Sequence, residues 1–215
     1  MRKSKTVAII GAGPVGLAAA AHVLERGMTP VVLEAGESVA DAVRQWGHVQ
    51  LFSPWGYNVD RAAERLLAPT GWNSPDPQHY PTGAELVEHY LEPLATRTAL
   101  ARHVRTSSRV TEISRVGFDK LKSGGREDAP FEIRYRNGKG PETLRADAVI
   151  DVSGTWHSPN PAGANGLPAI GEGAANSRIA YGMPDVLGKQ RARYAGKKLK
   201  GDVPNAKVEG GKKKK

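Results

Sequence analysis

The 215 residues contain no cysteine. Disulfides, thiolate metal sites, thiol nucleophiles and redox-active cysteine pairs are therefore excluded within them, and a cytoplasmic setting fits. A Gly-x-Ser-x-Gly nucleophile elbow and a phosphate-binding P-loop are also missing, which removes two common hydrolase and nucleotide-hydrolase signatures. No internal repeat occurs. No apolar run reaches transmembrane length, so no membrane partner is expected.

Hydrophobic residues make up 39% of the chain, enough to bury one good core and too few for three nucleotide- and substrate-binding domains at this length. The formal net charge is +9, a value that invites a nucleic-acid reading until it is located. Residues 189–215 carry nine lysines and two arginines against Asp202 and Glu209, and the remainder is neutral. The excess belongs to a tail with no periodic apolar face, which reads as disordered. An electrostatic contact with nucleic acid is confined to that tail, and a solvated tail is the plainer reading.

Thr6 to Ile10 is a short apolar run rich in β-branched residues, the pattern of a central strand buried on both faces. Pro14 to Arg26 reads as an Ala-rich helix closed by Gly27, and Pro30 to Leu33 as the next buried strand. Together these make a βαβ unit with a right-handed crossover. Basic Arg2, Lys3 and Lys5 before an Ala-rich stretch also resemble a signal peptide. Against that stand Gly11, Gly13, Pro14 and Gly16, at a spacing a signal sequence has no reason to keep.

Gly11-x-Gly13-x-x-Gly16 follows a predicted strand, opens a predicted helix and precedes Glu34 at the end of the second strand. Gly11 permits a tight turn, Gly13 lets the backbone approach a pyrophosphate, and Gly16 with Ala20 lets the helix pack on the sheet. The pyrophosphate sits on the free amides and positive end of the helix, flanked by Pro14 and Val15. Glu34, followed by Ala35, accepts the adenosine ribose hydroxyls, and its charge repels a 2′-phosphate. The plain alternative is a Gly-rich turn with a surface glutamate.

Beyond Glu34 the chain reads as a long irregular stretch, with many Gly and Pro between Gly47 and Pro81. Its aromatics Trp46, Phe52, Trp55 and Trp72 either wall a ring-binding pocket or plug the domain's edge. Thr82 to Thr96 is a helix started by a Thr82/Glu85 capping box and kinked at Pro93. Val104 to Ile113 holds a strand or two, and Phe131 to Arg136 alternates as a half-exposed strand. After the Asn137-Gly138 turn, Thr143 onward leads into a buried strand at Ala148 to Val152. No element is evident after Ser158. Glu85, His89 and Glu92 share a helix face, which reads as solvated rather than metal-binding. His157 is a loop histidine near the Ser-Gly-Thr turn. No catalytic residue is assigned.

The segment VAIIGAGPVGLAAAAHVLERGMTPVVLEAGES resembles the FAD-binding fingerprint of the two-dinucleotide-binding-domain flavoproteins. That superfamily includes flavin-containing monooxygenases, Baeyer–Villiger monooxygenases and thioredoxin-reductase-like enzymes. Tyr80-Pro81-Thr82 and its helix are similar to the segment that follows the aromatic loop in those monooxygenases. Ser108-Arg109-Val110 resembles the strand whose valine backbone meets the adenine, and Ala148 to Thr155 resembles the strand and turn that close the first FAD segment, here at Gly154.

The resemblance covers about residues 5 to 161. It implies an α/β, Rossmann-like FAD-binding domain with a parallel central sheet and a small β meander. It also implies an FAD-dependent oxidoreductase in which NADPH reduces the flavin, with an unknown small-molecule substrate. The cofactor residues are then Gly11, Gly13, Pro14, Val15, Gly16, Glu34, Ala35, Trp46, Val110 and Gly154. The second, NADPH-binding fingerprint and the Phe-x-Gly-x-x-x-His signature of the monooxygenases are missing, since Ile170 to Asn176 reads IGEGAAN. Arg191 to Lys198 resembles the lead-in to the second nucleotide-binding strand. The chain therefore reads as an N-terminal portion: an FAD-binding domain at 1–161, an irregular lead-in at 162–198 and a basic tail at 199–215. The other reading is a non-catalytic remnant that binds FAD, NAD or ADP.

Overall fold

The computed structural model describes residues 4–163 and 166–197. The chain divides into two units, Met1–Met183 and Pro184–Lys215. The tail at 199–215 and Lys198 lie outside the described residues.

The first unit is built on a parallel sheet of β1 (Thr6–Ile10), β2 (Thr29–Leu33), β3 (Val104–Arg105) and β7 (Ala148–Asp151), in the order β3-β2-β1-β7. Between β3 and β7 in sequence lies an antiparallel meander of β4 (Arg109–Arg115), β5 (Phe131–Asn137) and β6 (Gly140–Ala146). Successive strand residues face opposite sides, and β1 uses both. Val7 and Ile9 join a core formed with helices, whereas Ala8 packs with Val31, Leu33 and the meander's Ile133 and Tyr135. Three layers follow: helices, parallel sheet, meander. Cover on both faces is why β1 reads as a continuous apolar run.

The helical layer is led by α1 (Pro14–Glu25), which buries Gly16, Leu17, Ala20, Ala21 and Val23. Its small residues allow close approach to the sheet. Gly27, at φ 69°, ends the helix and Met28 donates to the Val23 carbonyl at 3.1 Å, the left-handed stop that glycine makes inexpensive.

The stretch after Glu34 is less irregular than the sequence suggests. It contains α2 (Asp41–Gln45), α3 (Trp55–Asn58) and α4 (Arg61–Leu67). Asp60 caps α4 by accepting the amides of Ala62 and Ala63, and α4 docks on α1 through the Arg65–Glu25 ion pair at 2.6 Å.

The helix expected from Thr82 has the expected capping box. It runs as α5 (Gly83–Leu86), a π-helical turn at Val87–Leu91, and α6 (Glu92–Arg97). In an α-helix the His89 carbonyl would accept from residue 93, which as proline has no N–H. The Trp72 indole donates to that carbonyl instead, at 2.6 Å.

Val104 to Ile113 holds two strands, within what the sequence allowed: an edge strand of the parallel sheet and the start of the first meander strand, turned apart at Ser107 with φ 49°. The approach to β7 is likewise two strands: Asp147 breaks them, its amide donating to the Thr6 carbonyl at 2.8 Å and its carboxylate accepting the Thr6 amide at 2.7 Å. β7 is an edge strand paired only with β1, with Ala148 and Asp151 exposed and Val149 and Ile150 half-buried. It is not the fully buried strand its composition predicts, because one side has no neighbour among the described residues.

In the second unit, Arg191–Tyr194 forms a helical turn, α7; the strand that Arg191 to Lys198 was expected to lead into would lie outside the described residues. No helix among the described residues is long and apolar enough to cross a membrane.

Candidate functional site

β1 ends in the Gly-rich turn. Gly11 has φ 100°, and a Cβ there would lie 2.9 Å from the Val152 carbonyl oxygen. Gly16 sits beneath it, where a Cβ would lie 2.0 Å from the Gly11 oxygen. Both glycines are required by contact within the fold. Gly13 differs, because nothing lies within 4 Å of where its Cβ would be. It faces open space, and the fold alone does not demand a glycine there.

Gly13 is also the N-cap of α1 and supplies no side-chain cap. Pro14 occupies the first helical position, where its missing N–H is no loss. The first intrahelical bond runs from Leu17 to Gly13 at 3.0 Å, so the amides of Val15 and Gly16 precede the helical ladder. The turn thus ends in uncapped amides at the positive end of the helix dipole, beside a glycine with nothing in front of it. Such an arrangement receives an anion.

Glu34 closes the other side. Its Oε2 accepts the Ala12 amide at 2.7 Å and its Oε1 the Gly36 amide at 2.9 Å. A cleft of about 590 Å³ opens here, between the Gly-rich turn, Glu34, α2, the start of the meander and the residues after β7. It lies at the carboxyl ends of the strands, where β1 has β2 on one side and β7 on the other. That is the switch point at which open α/β sheets bind ligands, and the volume is that of an ordinary small-molecule site.

Of the residues expected at a cofactor, Gly11, Gly13, Pro14, Glu34, Ala35, Val110 and Gly154 line this cleft. Gly16 lies under the turn as described, and the Val15 side chain points outward, 64% exposed. Trp46 lies elsewhere. It follows α2 and turns onto Gly83, where a Cβ would lie 2.7 Å from its ring, so the tryptophan fastens α2 to α5 rather than walling the cleft. Trp55 is buried in the helical core and Phe52 is 98% exposed. Neither of them, nor Trp72, lines the cleft. Glu85 is occupied by its capping box and Glu92 pairs with Arg44 at 3.0 Å.

Sequence reasoning missed Ala42 and Val43 on α2 and left Trp156 without a role, although all three line the cleft, as does His157. The signal for Trp156 was its position just after the Ser-Gly-Thr turn. Nothing local pointed to α2.

The sequence profile of the pyridine nucleotide-disulphide oxidoreductase family matches residues 8–170. Among solved structures the chain is similar to the bacillithiol disulfide reductase Bdr from Bacillus cereus, with 23% identity, a TM-score of 0.54, and 76% of this chain and 43% of that one covered. It is similar to a flavin-containing monooxygenase from Stenotrophomonas maltophilia, at 28% identity, TM-score 0.50, covering 73% and 40%. A steroid monooxygenase bound to NADP gives 23%, 0.51, 71% and 26%. The chain thus spans less than half the length of each. No curated protein matches it. With its strand order, its glycine-rich turn at the head of α1 and its profile match over residues 8–170, the chain belongs to the pyridine nucleotide-disulphide oxidoreductase family.

Proposed function

We propose that the cleft holds the ADP half of FAD and that the chain is the FAD-binding portion of an NAD(P)H-dependent, monooxygenase-like flavin oxidoreductase. The observation that carries this reading is Gly13: open space faces it, at an uncapped helix N-terminus, within the same cleft as Glu34. The pyrophosphate lies against the amides of Val15 and Gly16. Glu34 has roughly four acceptor positions, of which two are used, leaving two for the ribose hydroxyls. The Val110 backbone meets the adenine edge. A 2′-phosphate is repelled by Glu34, so NADPH is not the ligand of this cleft.

When bound, FAD supplies the redox chemistry, and the residues of the chain supply position and electrostatics. The absence of cysteine means that no electron passes to a thiol within these 215 residues. A cytoplasmic setting, residues 1–161 as the first FAD segment and 162–198 as a lead-in to further structure go with this reading. A second reading, dinucleotide holding without catalysis through residues 11–36, is favoured by one observation: the run from β1 into α1 is the sole glycine-rich strand-turn-helix unit among the described residues.

Both readings require a dinucleotide in the cleft. The absorbance spectrum of the purified protein, followed by titration with FAD and with ADP, tests this. Flavin bands, or saturable binding of either ligand, are the expected result. Binding of neither would refute the assignment.

A further inference from the structure

The parallel sheet beneath the cleft sets an order along it. The four strands end in register: Arg105 of β3 beside Leu33 of β2, Leu33 beside Ile10 of β1, and Ile10 beside Asp151 of β7. The chain leaving each strand lines the cleft, with Val110 after β3, Glu34 after β2, Gly13 after β1 and Trp156 after β7. From β3 to β7 is three strand spacings, about 14 Å. With adenine at Val110, ribose at Glu34 and diphosphate at Gly13, three of the four strand ends are assigned in order. A ligand that continues in the same direction past its diphosphate meets the chain after β7.

The side chain it meets there is Trp156, which joins two walls of the cleft. Its backbone belongs to the segment after β7, and its indole N–H donates to Gln45 Oε1 at 2.8 Å. Gln45 ends α2, on which Ala42 and Val43 also line the cleft. The ring is held in place from two sides. Gln45 Nε2 donates to Asp41 at 2.9 Å, which turns Oε1 toward the indole, and a Cβ on Gly182 would lie 3.0 Å from the benzo ring. Trp156 is nonetheless only half-buried. A fixed aromatic ring with free surface in a ligand cleft is matched by a second flat ring.

We propose that Trp156 is the wall on which the ring beyond the diphosphate stacks, so that the β7 end of the cleft selects FAD over ADP. The proposal rests on the reading of the cleft as a dinucleotide site. Gln45 acts through the indole, as a positioning residue.

Calorimetric titration with FAD and with ADP tests this on the wild-type chain, Trp156→Leu, Trp156→Phe and Gln45→Leu. The wild type is expected to bind FAD more tightly than ADP. Trp156→Leu stays apolar and loses the ring; it should weaken FAD by roughly three- to tenfold and hold ADP within about twofold. Trp156→Phe keeps a ring and should retain most of the FAD affinity. Emission of the bound flavin is a second readout, because an indole in contact quenches a flavin by electron transfer and a phenyl ring does not. Bound FAD should be dim in the wild type, brighter in Trp156→Phe, and brighter in Gln45→Leu with ADP affinity unchanged. Equal loss of FAD and ADP in Trp156→Leu would show a structural role. Unchanged FAD affinity in that variant, or unchanged emission in Trp156→Phe, would place the second ring elsewhere. Each of these results overturns the proposal while the dinucleotide reading stands. A wild-type chain that binds neither FAD nor ADP overturns that reading, and the proposal with it.

Discussion

Glu34 holds the amide of Ala12 on its Oε2 at 2.7 Å. The residue that follows β2 is thereby tied to the middle of the Gly11-Ala12-Gly13 turn, while its other oxygen holds Gly36. One carboxylate thus shapes the turn and, on the proposed reading, keeps acceptors for a ribose.

Glu34→Ala is therefore expected to lower affinity for ADP by roughly tenfold or more and stability by about 1–3 kcal/mol, since two backbone amides lose a charged acceptor. Glu34→Gln, which keeps one acceptor oxygen, should fall between. Calorimetric titration with ADP and urea unfolding read the two effects; affinity unchanged in Glu34→Ala would remove the ribose contact from this residue.

Gly13→Val should abolish dinucleotide binding with little change in melting temperature, because its side chain enters open space, the space in which the proposed pyrophosphate lies. Gly16→Ala is the contrast. Its Cβ would lie 2.0 Å from the Gly11 oxygen, and the forced backbone shift costs about 1–3 kcal/mol. Equal melting temperatures for the two variants would contradict this division of roles.

Trp72→Phe removes the indole donor from the His89 carbonyl and should cost about 1 kcal/mol. In a Pro93→Ala background the loss should shrink, because residue 93 then has an N–H to offer that carbonyl. A double-mutant cycle by urea denaturation measures the coupling, and full additivity would show that the proline and the indole do not share this acceptor.

Glu172 is buried and accepts the amides of Ala162 at 2.9 Å and Ala169 at 2.6 Å, with the Tyr181 hydroxyl as a third donor. The Tyr181 bond first, and then the amides, hold its carboxyl below the usual value of 4.5. A depressed carboxylate contributes stability that is full above its unfolded pKa and is lost as pH falls through the folded one. Limited proteolysis within residues 166–181 should therefore be slow at neutral pH and accelerate below about pH 4.5. In Glu172→Gln it should be fast throughout; the same pH dependence in that variant would assign the effect to another group.

Loaded with FAD, the 215-residue chain should be reduced by NADPH no faster than free flavin. Near-attack positioning of a nicotinamide is worth many orders of magnitude in rate, and the described residues hold a single glycine-rich strand-turn-helix unit. Anaerobic stopped-flow reduction decides it, saturable bleaching being the contrary result.

The unit from β1 through α1 to β2 was readable almost to the residue because its signals are local: a β-branched run, glycines at fixed spacing, a proline opening a helix and a glycine closing it. The capping box at Thr82 was readable for the same reason. By the same standard α4 should have been visible, since Asp60 stands before a helical run, but the Gly, Pro and aromatic residues around it gave the whole stretch the look of a loop.

What the sequence determined by itself is the glycine-rich turn, the acid just after β2 and the three-element unit that presents them. Each depends on residues within one or two turns of chain, where backbone geometry translates spacing directly into position. The tertiary structure alone decided that β6 and β7 are separate strands, divided by an Asp147 that binds Thr6 across 141 residues. It alone turned Trp46 away from the cleft, and brought Trp156 to Gln45 across 111 residues. Pairings of that kind arise from how whole layers pack, and no short-range pattern of residue types encodes which distant side chains the packing will bring together.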